Sequence, residues 1–122
     1  MEDRIKQVMA SADDTVAGNE TYTVGQLTSG VFTRDPNGGA RTDVTPTASA
    51  LIASTGFNLT TNNDCGFCYL INTADAAEAI TLSAGTGVTI SNVGQTIGQN
   101  ESALLIFRRT SATAVTLYIV GA

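Results

Sequence analysis

Histidine and tryptophan are absent from the chain, and bases are scarce: six Lys and Arg stand against eleven Asp and Glu. Without His no side chain titrates near neutrality in its unperturbed form, so the usual general base and the usual nitrogen ligand of zinc are both missing. The net charge of −5 works against general nucleic-acid binding, which needs clustered cations to neutralise phosphate. No apolar run approaches the roughly eighteen residues that a membrane-crossing helix requires. Met1-Glu2-Asp3 is unlike the basic start of an export signal, so a cleaved signal is not expected. Two Cys and two Pro complete the short inventory.

What the chain has in quantity is small and polar or β-branched. Gly and Thr occur 12 and 19 times, hydrophobic residues reach 43%, and charged residues only 14%, against about 25% in an ordinary globular protein. This is too apolar for disorder and too Thr-rich for a helical protein. A chain of 122 residues reads as one folding unit with room for a real core. Residues 65–122 hold three acids and two bases, so strands in that half have few charges with which to protect themselves. Burial between subunits follows as an expectation.

The strongest pattern is at the end of the chain. Ala103, Leu105 and Phe107 alternate with Leu104, Ile106 and Arg108, and Val115, Leu117 and Ile119 alternate with Thr116, Tyr118 and Val120. With Thr110 to Thr113 as a polar link, this predicts a β-hairpin. Further strands are expected at Phe67–Ile71, Ile80–Leu82, Val88–Ile90 and around Ile97, separated by Gly and Asn turns. Short strands at this spacing predict an all-β, antiparallel β-sandwich of jelly-roll type. One short helix is expected near 46–54, with Thr45 as cap, Pro46 at its first position and Gly56 past its end. Residues 2–12 carry a brief helical periodicity, and 11–20 read as a linker. Asp35-Pro36-Asn37-Gly38-Gly39 is a strong turn, and it divides the expected N-terminal arm, 1–40, from a β body, 41–122.

Few constellations point to chemistry. Cys65-Gly66-Phe67-Cys68 supplies two soft ligands where a closed zinc site wants four. In a strand residues i and i+3 face opposite ways, so a disulfide would need a turn or bulge at Gly66. Two free thiols are therefore expected, ahead of a local disulfide or a metal or redox pair. Asp35, Asp43, Asp64 and Asp75 all sit in turn-like contexts, where accepting a nearby backbone N–H explains them better than a hydrolytic carboxylate pair. Asp13-Asp14 has no calcium-loop spacing, and Gly85-Thr86-Gly87 is not a phosphate loop. No cofactor, metal site or catalytic residue is expected. Arg108 and Arg109 point to opposite faces of a strand, so one is expected to meet solvent or a neighbouring subunit and to pair with Glu101 or Asp43; Arg41 is a similar case. The arm offers Tyr22, Val24, Leu27, Val31 and Phe32 for laying along a partner, and Tyr118 adds a surface aromatic.

Three segments together resemble virion proteins of tailed bacteriophages. They are Gly38 to Ala48, Leu82 to Ile90, and Ser102 to Gly121 with Phe107-Arg108-Arg109-Thr110 at its centre. The resemblance covers roughly 38–122 and is to small capsid decoration (cement) proteins and to related head-fibre and tail-fibre modules. It implies a non-enzymatic β protein, commonly a homotrimer, made in the host cytoplasm and placed on the virion surface, where it binds the major capsid protein. It also implies that Arg41, Asp43, Thr45 and Pro46 lie at a turn and helix start, and that Arg108 and Arg109 lie in the penultimate strand. Cys65 and Cys68 fall outside that pattern, and the short N-terminal segment lacks a fibre's long shaft, which favours decoration. The alternatives are a fibre module binding a receptor or glycan through Tyr69, Tyr118 and loop Asn or Asp residues, and a small hydrolase with a carboxylate pair.

Overall fold

Strands dominate the computed structural model, which describes residues 10–122. In chain order they are β1 (Ala10–Asp14), β2 (Gly30–Arg34), β3 (Arg41–Val44), β4 (Cys65–Asn72), β5 (Ile80–Ser83), β6 (Val88–Ile90), β7 (Thr96–Ile97), β8 (Ser102–Ser111) and β9 (Ala114–Val120). Two short helices join them, α1 (Val24–Leu27) and α2 (Ala48–Ala53). The strands form a six-stranded sheet in the order β1-β2-β4-β8-β9-β6 and a three-stranded sheet in the order β3-β5-β7.

The terminal hairpin forms as its alternation dictates. Ala103, Leu105 and Phe107 of β8 and Val115, Leu117 and Ile119 of β9 are buried, and the strands pair antiparallel with an irregularity between Arg109 and Ser111. β4 with β8 and β5 with β7 are antiparallel as well, and for the remaining pairs the expectation is corrected. β1 with β2, β2 with β4, β3 with β5, and β6 with β9 all run parallel. The reason is the route of the chain. β1 and β2 are joined by a crossover that contains α1, and from β2 to β8 successive strands lie in alternate sheets. These strands therefore reach their neighbours only after a crossover or a detour through the other sheet, and often return in the same direction. Alternation along a strand sets which face is buried; it carries no information about which strand lies alongside.

The apolar cluster draws on both sheets and on the segment expected to be an arm. Tyr22, Leu27 and Phe32 pack with Leu70, Ile80, Ile97, Leu105 and Leu117, and Tyr22 meets Phe32 edge to face with ring centroids 4.8 Å apart. Residues 10–40 are therefore integral to the fold, and no boundary falls at residue 40. Of the helix expected at 2–12, residues 2–9 lie outside the described residues, while 10–14 form β1. Tyr22 to Thr33 contains α1, closed at its start by a reciprocal pair: the Thr23 side chain accepts from the Gln26 N–H, and the Gln26 side chain accepts from the Thr23 N–H. The helix expected near 46–54 is α2, but its cap is Thr47, whose side chain accepts from the Ala50 N–H. Thr45 is otherwise engaged, accepting from the Gly85 N–H at 2.9 Å.

Candidate functional site

Charge is concentrated inside the molecule at one place. Arg34 is two residues from Phe32 on β2, so strand geometry turns both inward, and Arg34 is fully buried. Its Nε donates to Asp43 Oδ2 at 2.8 Å and its Nη2 to Asp43 Oδ1 at 3.3 Å. Nη1 donates to the carbonyls of Val16 and Asp35, and Nη2 also donates to the carbonyl of Gly18. All five guanidinium donors therefore have acceptors. Asp43 is equally satisfied, because Oδ2 also accepts from the Tyr22 hydroxyl at 2.7 Å and Oδ1 from the Glu20 N–H at 2.8 Å.

This cluster clamps the connection between β1 and α1 onto the sheet. Burial alone lowers the Arg34 pKa, but the hydrogen bond and charge of Asp43, with Asp14 behind it, outweigh that and hold it above its ordinary value. Burial first, and then the Asp43 charge, raise the Tyr22 pKa, so the phenol stays protonated as a donor. Asp14 is also buried; its Oδ1 accepts from the Val16 N–H at 3.0 Å and lies 3.6 Å from Arg34 Nη1. Its Oδ2 has no partner among the described residues. The Glu20 pKa is raised, chiefly by a side-chain hydrogen bond with Asp14, then by burial and the Asp14 charge. Arg34 and Asp43 spend their donors and acceptors on each other, on the Tyr22 hydroxyl and on backbone, which fits a structural device.

A different arrangement faces outward. The outer side of the six-stranded sheet carries two apolar rows that run across the strands. Val31, Tyr69, Leu104 and Val120 are successive partners in one row, and Phe67, Ile106 and Tyr118 in the other. Phe67 is 56% exposed, Tyr69 47% and Val120 48%. Beyond the rows lie Arg108, in register with Cys65 and Thr116, and Asp13, in register with Thr33 and bonded to its hydroxyl. Arg108 stacks over Tyr118 at 5.7 Å from the ring centroid. A groove of about 580 Å³ opens at one flank, where Phe67 and Tyr69 stand beside Phe57, Thr28 and Ser29.

The expected contact residues divide between these surroundings. Val31, Arg108 and Tyr118 come together on the outer face. Tyr22, Leu27 and Phe32 are core and cannot reach a partner, which corrects their expected role; Val24 packs against the same core. Arg41 holds the 35–39 turn, donating to the carbonyls of Pro36 and Asn37. Neither terminal-strand Arg makes the expected carboxylate pair: Arg108 donates to Asn63 Oδ1, and Arg109 to the carbonyls of Leu59 and Ser111. Asp43 belongs to Arg34 instead. Asp35 and Asp64 do accept local backbone N–H groups. Cys65 and Cys68 are free thiols, one exposed and one buried, and burial pushes Cys68 up to about 12. Among the described residues no cluster of three or more Cys, Asp or Glu is placed to hold a metal ion.

Arg34 went unnoticed in the sequence, although a signal was there. A cation at the core parity of a strand, two residues after Phe32, demands a buried carboxylate. Compared with known protein families, curated proteins and solved structures, the chain matches none of them.

Proposed function

We propose that this chain is a non-enzymatic structural subunit that works through the outer face of its six-stranded sheet, in the role of a capsid decoration (cement) protein on a virion shell. The observation that carries the reading is the pair of apolar rows with Phe67 and Tyr69 about half exposed. Apolar faces of this size on a soluble domain mark interaction sites. The buried Arg34–Asp43 cluster fits the same role, because it spends its polar groups on rigidity. In this reading the two sheets are the layers of a sandwich closed over one apolar cluster. The alternation of strands between sheets supports that description, and the parallel pairs depart from a jelly roll. The subunit contact moves from an N-terminal arm to the sheet face, since Tyr22, Leu27 and Phe32 are committed to the core.

Cryo-electron microscopy of the particle in which the protein occurs tests the reading. Density on the outer shell, with the six-stranded sheet turned towards a neighbouring subunit, is the expected result, and absence from the particle overturns it. A second reading, a fibre module that binds a receptor or glycan, is favoured by the groove, where Phe67 and Tyr69 stand beside Thr28 and Ser29. Density confined to a tail tip, with glycan-array binding lost on Tyr69→Ala, would select that alternative.

A further inference from the structure

We infer that the apolar outer face of the six-stranded sheet is covered by the same face of another copy of this chain, an inference that rests on the assembly reading above. Area is the first argument. Large aromatic side chains present about 150–250 Å² each, so Phe67 and Tyr69, 56% and 47% exposed, leave about 100 Å² each in water. With Val120 and the half-buried members of the two rows, the apolar surface is on the order of 500 Å². A polar rim of Thr and Ser brings it near the roughly 800 Å² that each partner contributes to a standard interface.

Charge is the second argument, and it selects the occupant. Among the described residues the face has one cation beyond one end of the rows, Arg108, and one anion beyond the other, Asp13. In register terms they lie at the level of Cys65 and Ile71 on β4, about 20 Å apart along the strands at the usual rise. A partner of uniform sign is repelled at one end. A second copy related by a two-fold axis lying in the face brings each Arg108 towards the other copy's Asp13, which satisfies both ends twice over. The net charge of −5 repels a second copy at long range, a repulsion that salt screens and that the two Arg108–Asp13 contacts offset locally.

The test is sedimentation equilibrium on the full chain, with circular dichroism to verify the fold of each variant. The wild type is expected at twice the chain mass. Tyr69→Lys, at an exposed position, is expected to weaken self-association about tenfold or more. Arg108→Glu and Asp13→Arg each weaken it, and combining the two reversals restores it; this restoration is a readout that mere misfolding cannot imitate. A trimer requires a heterologous contact, so a wild type at three times the chain mass overturns the face-to-face inference. An oligomer indifferent to all of them places the contact elsewhere and overturns the inference. A monomeric wild type that still sits on a shell overturns it too but leaves the assembly reading standing, whereas a monomer absent from the particle removes both.

Discussion

Arg34 and Asp43 are worth more to this fold than their two charges suggest, because each also binds backbone. Removing one member of a buried pair leaves the other unpaired, typically at about 3–5 kcal/mol. Asp43→Ala is therefore expected to cost about 3–5 kcal/mol in denaturant unfolding, since it strands Arg34 and leaves the Tyr22 hydroxyl and the Glu20 N–H without their acceptor. An apolar double replacement is not the neutral change seen elsewhere, because the carbonyls of Val16, Gly18 and Asp35 would lose their donors. Glu20 gives a pH signature of opposite sign to the usual carboxylate. Its folded pKa stands above the ordinary carboxylate value of 4.5, so its stabilising contribution is fully present below that value and is lost as pH rises through the raised one. Glu20→Gln should then flatten the pH dependence of the melting temperature above pH 4.5 and raise it at neutrality relative to wild type. A variant whose profile keeps the wild-type slope would show that Glu20 does not set this pH dependence. None of this was legible in the sequence, where Asp43 reads as a turn residue and Asp14 as part of an acidic linker. Local context describes the neighbours in the chain, and the partners of these groups come from segments brought together only by the sheet.

Among the elements, legibility follows locality. The hairpin of β8 and β9 was readable because its pairing partner is adjacent in sequence and both arms keep a strict period of two. The α2 helix was readable in existence, but Thr47 caps it where Thr45 was expected, since Thr45 is claimed by the distant Gly85. Strand β4 was readable as a strand, though not in which face it buries; its exposed side carries the aromatics. Gly66 explains part of that choice. It lies on the buried side of β4, and a Cβ there would fall 2.3 Å from Cδ1 of Phe57, whose ring lies 5.5 Å from that of Phe107. The missing side chain is the seat of the Phe57 ring. Gly66→Ala is expected to cost about 1–3 kcal/mol by overpacking, and Phe57→Leu in the same chain should recover part of that loss. Additive costs in this double-mutant cycle would mean that the two positions do not meet.

At the scale of the whole molecule, the winding of the chain between two sheets makes the first forty residues inseparable from the rest. β2 lies between β1 and β4, Phe32 and Tyr22 fill the centre of the core, and Arg34 reaches across to Asp43 on β3. A chain cut to 41–122 tests this against an arm-and-body division. The cut removes Tyr22, Leu27 and Phe32, and core deletions of such side chains cost about 2–5 kcal/mol each. It also leaves Asp43 buried without a cation, and it opens the β4 edge to water along the positions Tyr69 to Asn72 that β2 covers. The sum is as large as the whole of the roughly 5–15 kcal/mol by which a domain of this kind is stable. The truncated chain is therefore expected to show no cooperative thermal transition and no dispersed amide spectrum, while the full chain shows both. A sharp melt from 41–122 alone would restore the boundary at residue 40 and return the aromatic residues before it to the surface of a partner.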